Sequence, residues 1–110
     1  MSIKTFSQLE GCEIELLESY WINRKKIREE LQAGNKPKEF VEYHEKLLAA
    51  MNVVYPKMSE EIRTVINMRY RDRDSWAEIA DEIYSTIART KELANVALRE
   101  LAIQLGWIYF

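Results

Sequence analysis

The sequence predicts an all-α fold, and three observations carry that expectation. Apolar residues recur at helical spacing in segment after segment. Serine and threonine stand just ahead of several of these segments, where a side-chain oxygen can cap a helix. Only three Gly and two Pro interrupt 110 residues, so few chain breaks are available. The expected arrangement is an N-terminal helical hairpin over residues 1–57, followed by a unit of three helices over 58–110. The hairpin is either part of the same compact unit or an extension of it.

Ser7-Gln8-Leu9-Glu10 reads as a capping box that opens the first helix. Ile14, Leu17, Trp21 and Leu31, with Tyr20 and Ile27 beside them, give that helix an apolar stripe, and Gly11 weakens its first turns. Its polar side carries Glu13, Glu15 and Glu18 first, then Arg24, Lys25, Lys26 and Arg28. Acids that lead and bases that trail suit the dipole of one continuous helix, so this side reads as a solvated face. The other reading of the four bases is a patch that contacts phosphate. Gly34 and Pro37 stop the helix. A second helix spans about Lys38 to Met51, with Phe40, Val41, His44, Leu47, Leu48 and Met51 on its apolar side. One tight break between two amphipathic helices implies an antiparallel hairpin. Residues 52–57 are apolar enough to pack down as they lead onward.

Ser59, followed by Glu60 and Glu61, caps the next helix, where acids in the first turn complement the dipole. Ile62, Val65, Ile66, Arg69 and Tyr70 keep helical spacing, and the polar run Arg71-Asp72-Arg73-Asp74 ends it. Ser75 and Glu78 form a capping box for a short helix with Trp76, Ala77, Ile79, Ala80 and Ile83 as its apolar positions. Ala77 and Ala80 are small enough to let neighbouring helices approach. Tyr84-Ser85 breaks the pattern, and Thr86 caps a last helix running to Leu105 with Ile87, Thr90, Ala94 and Leu98 turned inward. A short helix, a tight turn and a longer helix make a helix-turn-helix arrangement, in which the later helix is the usual reader of the DNA major groove.

Three blocks of this half carry a family resemblance. Ile62-Arg63-Thr64-Val65-Ile66-Asn67-Met68-Arg69-Tyr70 resembles the R-x-V-I-x-L-R-Y helix of the sigma-factor domain that reads the upstream promoter element. Ser75-Trp76-Ala77-Glu78-Ile79-Ala80 is similar to that family's S-Y-x-E-I-A, and Ala97-Leu98-x-x-Leu101 to its A-L-x-x-L, all without a gap. The stretch from Leu98 to Trp107 looks like the RinA/ArpU-type phage transcription regulators, small proteins with a sigma-like C-terminal reader behind a helical N-terminal part. The resemblance implies a sigma-like helix-turn-helix and a phage-type, sequence-specific DNA-binding transcriptional regulator that reads the groove with the helix at about 86–104. The turn departs from the family: Tyr84 stands where glycine is preferred and Ser85 where an apolar residue is usual. A longer or differently bent turn is therefore expected.

On the outward face of the last helix, Ala88, Arg89, Lys91, Glu92, Asn95 and Arg99 are candidates for contact. Arg89 suits guanine, Asn95 adenine and Glu92 the amino group of cytosine, while Ala88 suits a thymine methyl. Resemblance to the sigma-like readers implies the same positions, except Arg99, at or near the groove. Ser75 and Thr86, at helix N-termini, are candidates for phosphate contact, joined by Arg71 and Arg73. The Arg71–Asp74 run reads equally as a self-neutralising loop. Trp76 reads as packing against the preceding helix, with an indole N–H that can reach phosphate.

Charge limits the DNA reading. Net charge is −2, and nine acids face seven bases from Met58 onward, so nonspecific phosphate affinity is expected to be modest. Two copies, or a DNA-bound partner, would compensate. A homodimer and contact with RNA polymerase are accordingly expected. Trp107, Ile108, Tyr109 and Phe110 end the sequence with four large apolar residues, which either fold back on the core or form a dimer or partner surface. The rival function is an interaction module that binds RNA polymerase or a sigma factor without reading DNA.

Other classes have little support. One His and one Cys, far apart, offer no nucleophile motif; His44 lies between Tyr43 and Glu45 on a helix. No zinc-ligand spacing and no glycine-rich phosphate loop occur, so no enzyme, metal or cofactor is expected. The lone Cys12, no apolar run near the roughly 20 residues that span a bilayer, and no apolar signal core near the start point to the cytoplasm, of a bacterial host if the chain is phage-encoded.

Overall fold

The structure is a computed structural model and describes residues 5–108, whose regular elements are all helical. A 3₁₀ turn (Phe6–Gln8) precedes α1 (Gly11–Ile22), α2 (Arg24–Ala33) and α3 (Lys38–Val54). A second 3₁₀ turn (Tyr55–Lys57) leads to α4 (Glu60–Ile66), which widens into a π-helical turn (Asn67–Arg71). Two further helices, α5 (Trp76–Glu82) and α6 (Ile87–Gln104), follow.

The single long first helix of the sequence reading is in fact two. Asn23 leaves helical geometry (φ −97°, ψ 8°), and both its backbone N–H and its side-chain amide donate to Ser19 O at 2.9 Å. An asparagine side chain that competes for backbone acceptors is a physical reason for a break without Gly or Pro. The entry also differs from the Ser7–Glu10 box. Thr5 N–H bonds the Gln8 side chain, and Glu10 N–H bonds the Glu13 carboxylate, so two successive caps share the work. Arg24, Lys25 and Lys26 therefore occupy the first turn of α2, where the dipole disfavours cations. The dipole explanation of these charges fails.

Gly34 closes α2 in the left-handed region (φ 73°), and Pro37 starts α3, which packs against α2. Lys38–Val54 is longer than anticipated because Val54 is buried at its end, while Val53 faces outward. Pro56 then forbids continuation.

Two apolar clusters hold the fold. The larger joins Leu17 and Trp21 of α1, Met51 of α3, Ile66 and Tyr70, and Leu98, Leu101 and Ala102 of α6. The hairpin and the later helices thus share one core. The smaller consists of Val65, Ile79, Leu93 and Ala94, edged by Met68, Trp76 and Ile83; Ile62 touches both clusters. The π turn serves the two together. Asp72 N–H reaches Asn67 O at 3.0 Å, and the wider turn carries Tyr70 into the large cluster while Met68 lies against the small one. Tyr70 donates its hydroxyl to Glu18 at 3.1 Å, and burial, then Glu18, push its pKa above the ordinary phenol value.

The end of the described chain folds inward. Gly106 (φ 80°) closes α6: its N–H bonds Ile103 O, and Trp107 N–H bonds Ala102 O at 2.9 Å. This is a Schellman cap with glycine at its left-handed position. Trp107 meets Tyr20 edge-on at 6.2 Å between ring centroids, and Ile108 is 4 % exposed in the large cluster. Ile108 is therefore core rather than displayed partner surface, and Trp107 is half-buried against α1. Tyr109 and Phe110 lie outside the described residues.

Candidate nucleic-acid interface

The candidate face is built by α4, α5 and α6, which pack on one another. Each start is fixed locally, as the sequence suggests. Ser59 accepts from Ile62 N–H at 3.2 Å. Ser75 accepts from Glu78 N–H at 3.1 Å, while the Glu78 carboxylate takes the Ser75 N–H at 3.3 Å and its hydroxyl at 2.8 Å. Thr86 accepts from Arg89 N–H at 3.1 Å. Ser75 is thus fully engaged in its own cap. At α6 the first-turn amides have no intrahelical acceptor, by the geometry of any helix start.

The turn before α6 is not lengthened. Ser85 N–H bonds Ala80 O at 2.9 Å, and Tyr84 N–H bonds Asp81 O at 3.2 Å. This is the same Schellman pattern that Gly106 closes, but here Tyr84 takes the left-handed conformation itself (φ 54°). A Cβ in that region costs roughly 1–2 kcal/mol. The phenol ring returns nothing to the fold, because Tyr84 is 97 % exposed.

α6 divides cleanly into two sides. Thr90, Leu93, Ala94, Ala97 and Leu98 are buried, and the Thr90 hydroxyl donates to Thr86 O at 2.7 Å, which satisfies the one buried polar residue among those described. Ala88, Arg89, Lys91, Glu92, Asn95 and Arg99 are exposed, so the structure brings the six outward candidates onto one free face. Ile87 departs from expectation: it is 45 % exposed and belongs to neither apolar cluster, at the start of α6 ahead of the buried Thr90, Leu93 and Ala94. Ala77 is likewise exposed, and the close approach of α5 falls to Ala80 and Ile79 alone.

The charges are partly tied down. Arg89 pairs with Glu92 at 3.5 Å, both exposed. Arg71 forms a two-pronged pair with Asp72 at 2.9 and 3.2 Å, which raises the arginine pKa and lowers that of the carboxylate. That geometry is the self-neutralising half of the loop. Arg73 is exposed with φ 62°, in the left-handed region. Trp76 packs on the small cluster, with the Arg69 guanidinium 4.3 Å from its ring centroid and Lys91 at 6.0 Å. Arg69 also donates to Asp74 O at 3.2 Å, so it clamps the polar loop to α5. Neither Arg69 nor the exposed pair Tyr84 and Ile87 was singled out by sequence for this face. Only the glycine-like position of Tyr84 in the turn gave a signal.

Elsewhere, His44 is held by a bond between Nδ1 and Phe40 O at 2.8 Å and stacks on the Phe40 ring at 3.9 Å. No three of His, Cys, Asp or Glu among the described residues gather as a metal site, and none of the described helices is long and apolar enough to cross a membrane. In comparison with known proteins, the chain matches no family model, and no curated protein or solved structure matches it significantly.

Proposed function

We propose that the chain is a sequence-specific DNA-binding transcriptional regulator of the phage type, with α6 entering the major groove by its N-terminal half. The observation that supports this most is the one-sided burial of α6. Thr90, Leu93 and Ala94 face the small cluster, while Ala88, Arg89, Lys91, Glu92 and Asn95 share the free side. That set combines a guanine reader, an adenine reader and a cytosine acceptor on one helix face. The first-turn amides of α6, with Thr86 at its cap and the exposed Arg73 ahead of α5, supply donors for a backbone phosphate. Arg71 contributes only if it exchanges Asp72 for phosphate, and Ser75 only through its place at the start of α5. A homodimer, or RNA polymerase beside it on DNA, would supplement the modest charge of a chain at −2.

The test is selection of bound sequences from a random duplex library, repeated over a salt series. An enriched motif, bound more weakly as salt rises, supports the reading. No enrichment by the folded protein overturns it. One observation favours the second reading, an interaction module for RNA polymerase or a sigma factor: Tyr84 and Ile87 form an exposed apolar pair at the tip of the turn. Retention of polymerase without DNA, lost in Tyr84→Ala, would support that alternative.

A further inference from the structure

Where α1 turns into α2, a cleft of about 350 Å³ opens between Trp21, Arg24, Arg28, Tyr55, Asn67 and Arg71, with Lys25 also on its lining and no acid among the lining residues. Its electrostatics are unbalanced. The Arg24 guanidinium is half-buried, 4.7 Å above the Tyr55 ring and 5.8 Å from that of Trp21, and its one hydrogen-bond acceptor among the described residues is the neutral Asn52 Oδ1 at 2.8 Å. Arg28 stands close by with no carboxylate at ion-pair distance among the described residues. Lys25 has only a loose, solvent-exposed pair with Glu29 at 4.0 Å. Arg71 alone is neutralised, by Asp72. Burial and the neighbouring Arg28 pull the Arg24 pKa below its ordinary value, the response of a cation short of counter-charge.

Two buried donors of residues that line this cleft have no acceptor among the described residues: Trp21 Nε1–H and Arg24 Nε–H. Buried N–H groups are nearly always paired, so two orphans side by side mark a region rich in donors and short of oxygen. Arg24 and Lys25, moreover, sit in the first turn of α2, where the helix dipole adds positive potential instead of offsetting it. Every local term favours an anion, and the aromatic walls accept the flat or apolar part of whatever carries it.

We propose that this cleft binds a small phosphorylated ligand, with its phosphoryl oxygens on Arg24 and Arg28 and its organic part against Tyr55. The volume is at the small end of ligand pockets, which suits a phosphomonoester of one ring or sugar. A duplex backbone fits less well, because the key guanidinium is half-buried in a cleft while duplex phosphates are met at exposed side chains. The site does not depend on the DNA reading: of the residues proposed to meet DNA it shares only Arg71, already paired with Asp72, and its ligand contacts are Arg24 and Arg28.

The test follows the indole and arginine Nε–H signals by NMR. The full chain is titrated with inorganic phosphate and with phenyl phosphate, chloride holding ionic strength constant. The expected result is a saturable shift of the Trp21 and Arg24 signals with one dissociation constant, tighter for phenyl phosphate, while the Trp76 indole stays still. Arg28→Gln, at an exposed position that leaves the packing intact, weakens binding by about tenfold, the loss of one charge-assisted contact. Shifts that never saturate, or that appear equally at Trp76, overturn the proposal. So does movement of these signals with a short duplex but with neither small phosphate.

Discussion

The two halves of α6 live in different surroundings. From Ala97 to Ala102 the helix is enclosed by α1, α3 and α4, and Ala97, Leu101 and Ala102 are fully buried in the large cluster. From Ile87 to Asn95 it meets α4 and α5 through a cluster of four buried residues. The helix has 18 residues, about 27 Å at the usual rise. One end is therefore anchored deeply enough that the other can leave a whole face in solvent. The difference teaches how one helix keeps a polar face in solvent along its first half: α1 to α3 contribute to the large cluster that encloses its second half.

The largest expected effect breaks the anchor. Leu101→Ala should cost about 3–5 kcal/mol, since a wholly enclosed leucine leaves a cavity that rigid helices cannot fill. Chemical denaturation should show a single transition shifted to much lower denaturant. Ile79→Ala should cost less, about 2–4 kcal/mol, because the small cluster is open on one side and can relax. Hydrogen exchange should distinguish the two: Leu101→Ala loosens all six helices, whereas Ile79→Ala exposes amides of α5 and the start of α6 and leaves α1–α3 protected.

The two Schellman caps offer a smaller and sharper comparison. Gly106 and Tyr84 hold the same left-handed position, one with the residue suited to it and one without. A Cβ at Gly106 meets nothing within 4 Å, so Gly106→Ala isolates the backbone term and should cost about 1 kcal/mol. Tyr84→Gly should stabilise by about 0.5–1 kcal/mol, the strain relieved less the entropy of a glycine. Thermal melts of the pair should move in opposite directions. A destabilised Tyr84→Gly would mean that the exposed ring packs on something in solution.

Much of this was legible in the sequence because it is local. Ser59, Ser75 with Glu78, and Thr86 cap their helices through bonds spanning three residues, and such bonds need no knowledge of the rest of the fold. The outward set on α6 followed from helical phase. What failed depended on contacts made at a distance or on subtle competition. The break at Asn23 carries no Gly or Pro and rests on one side-chain amide outbidding the helix for Ser19 O. Ile87 keeps the phase of the buried stripe but lies beyond the end of the cluster that would cover it. The inward fold of Ile108 depends on a surface assembled by α1, α3 and α6, which no stretch near it encodes. The basic cleft was half visible: the four bases were noticed, but their place at the start of a helix, and not at the end of one, became apparent only with the break.

The most direct measurement of the central claim is the effect of Arg89→Ala with Asn95→Ala on binding to the duplex that the wild-type protein selects. Both side chains are exposed. Two lost base contacts at about 1–3 kcal/mol each should weaken specific binding by roughly 30-fold or more while the melting temperature stays within a degree or two. Unchanged affinity in a protein that melts normally would contradict the account and move recognition off the free face of α6.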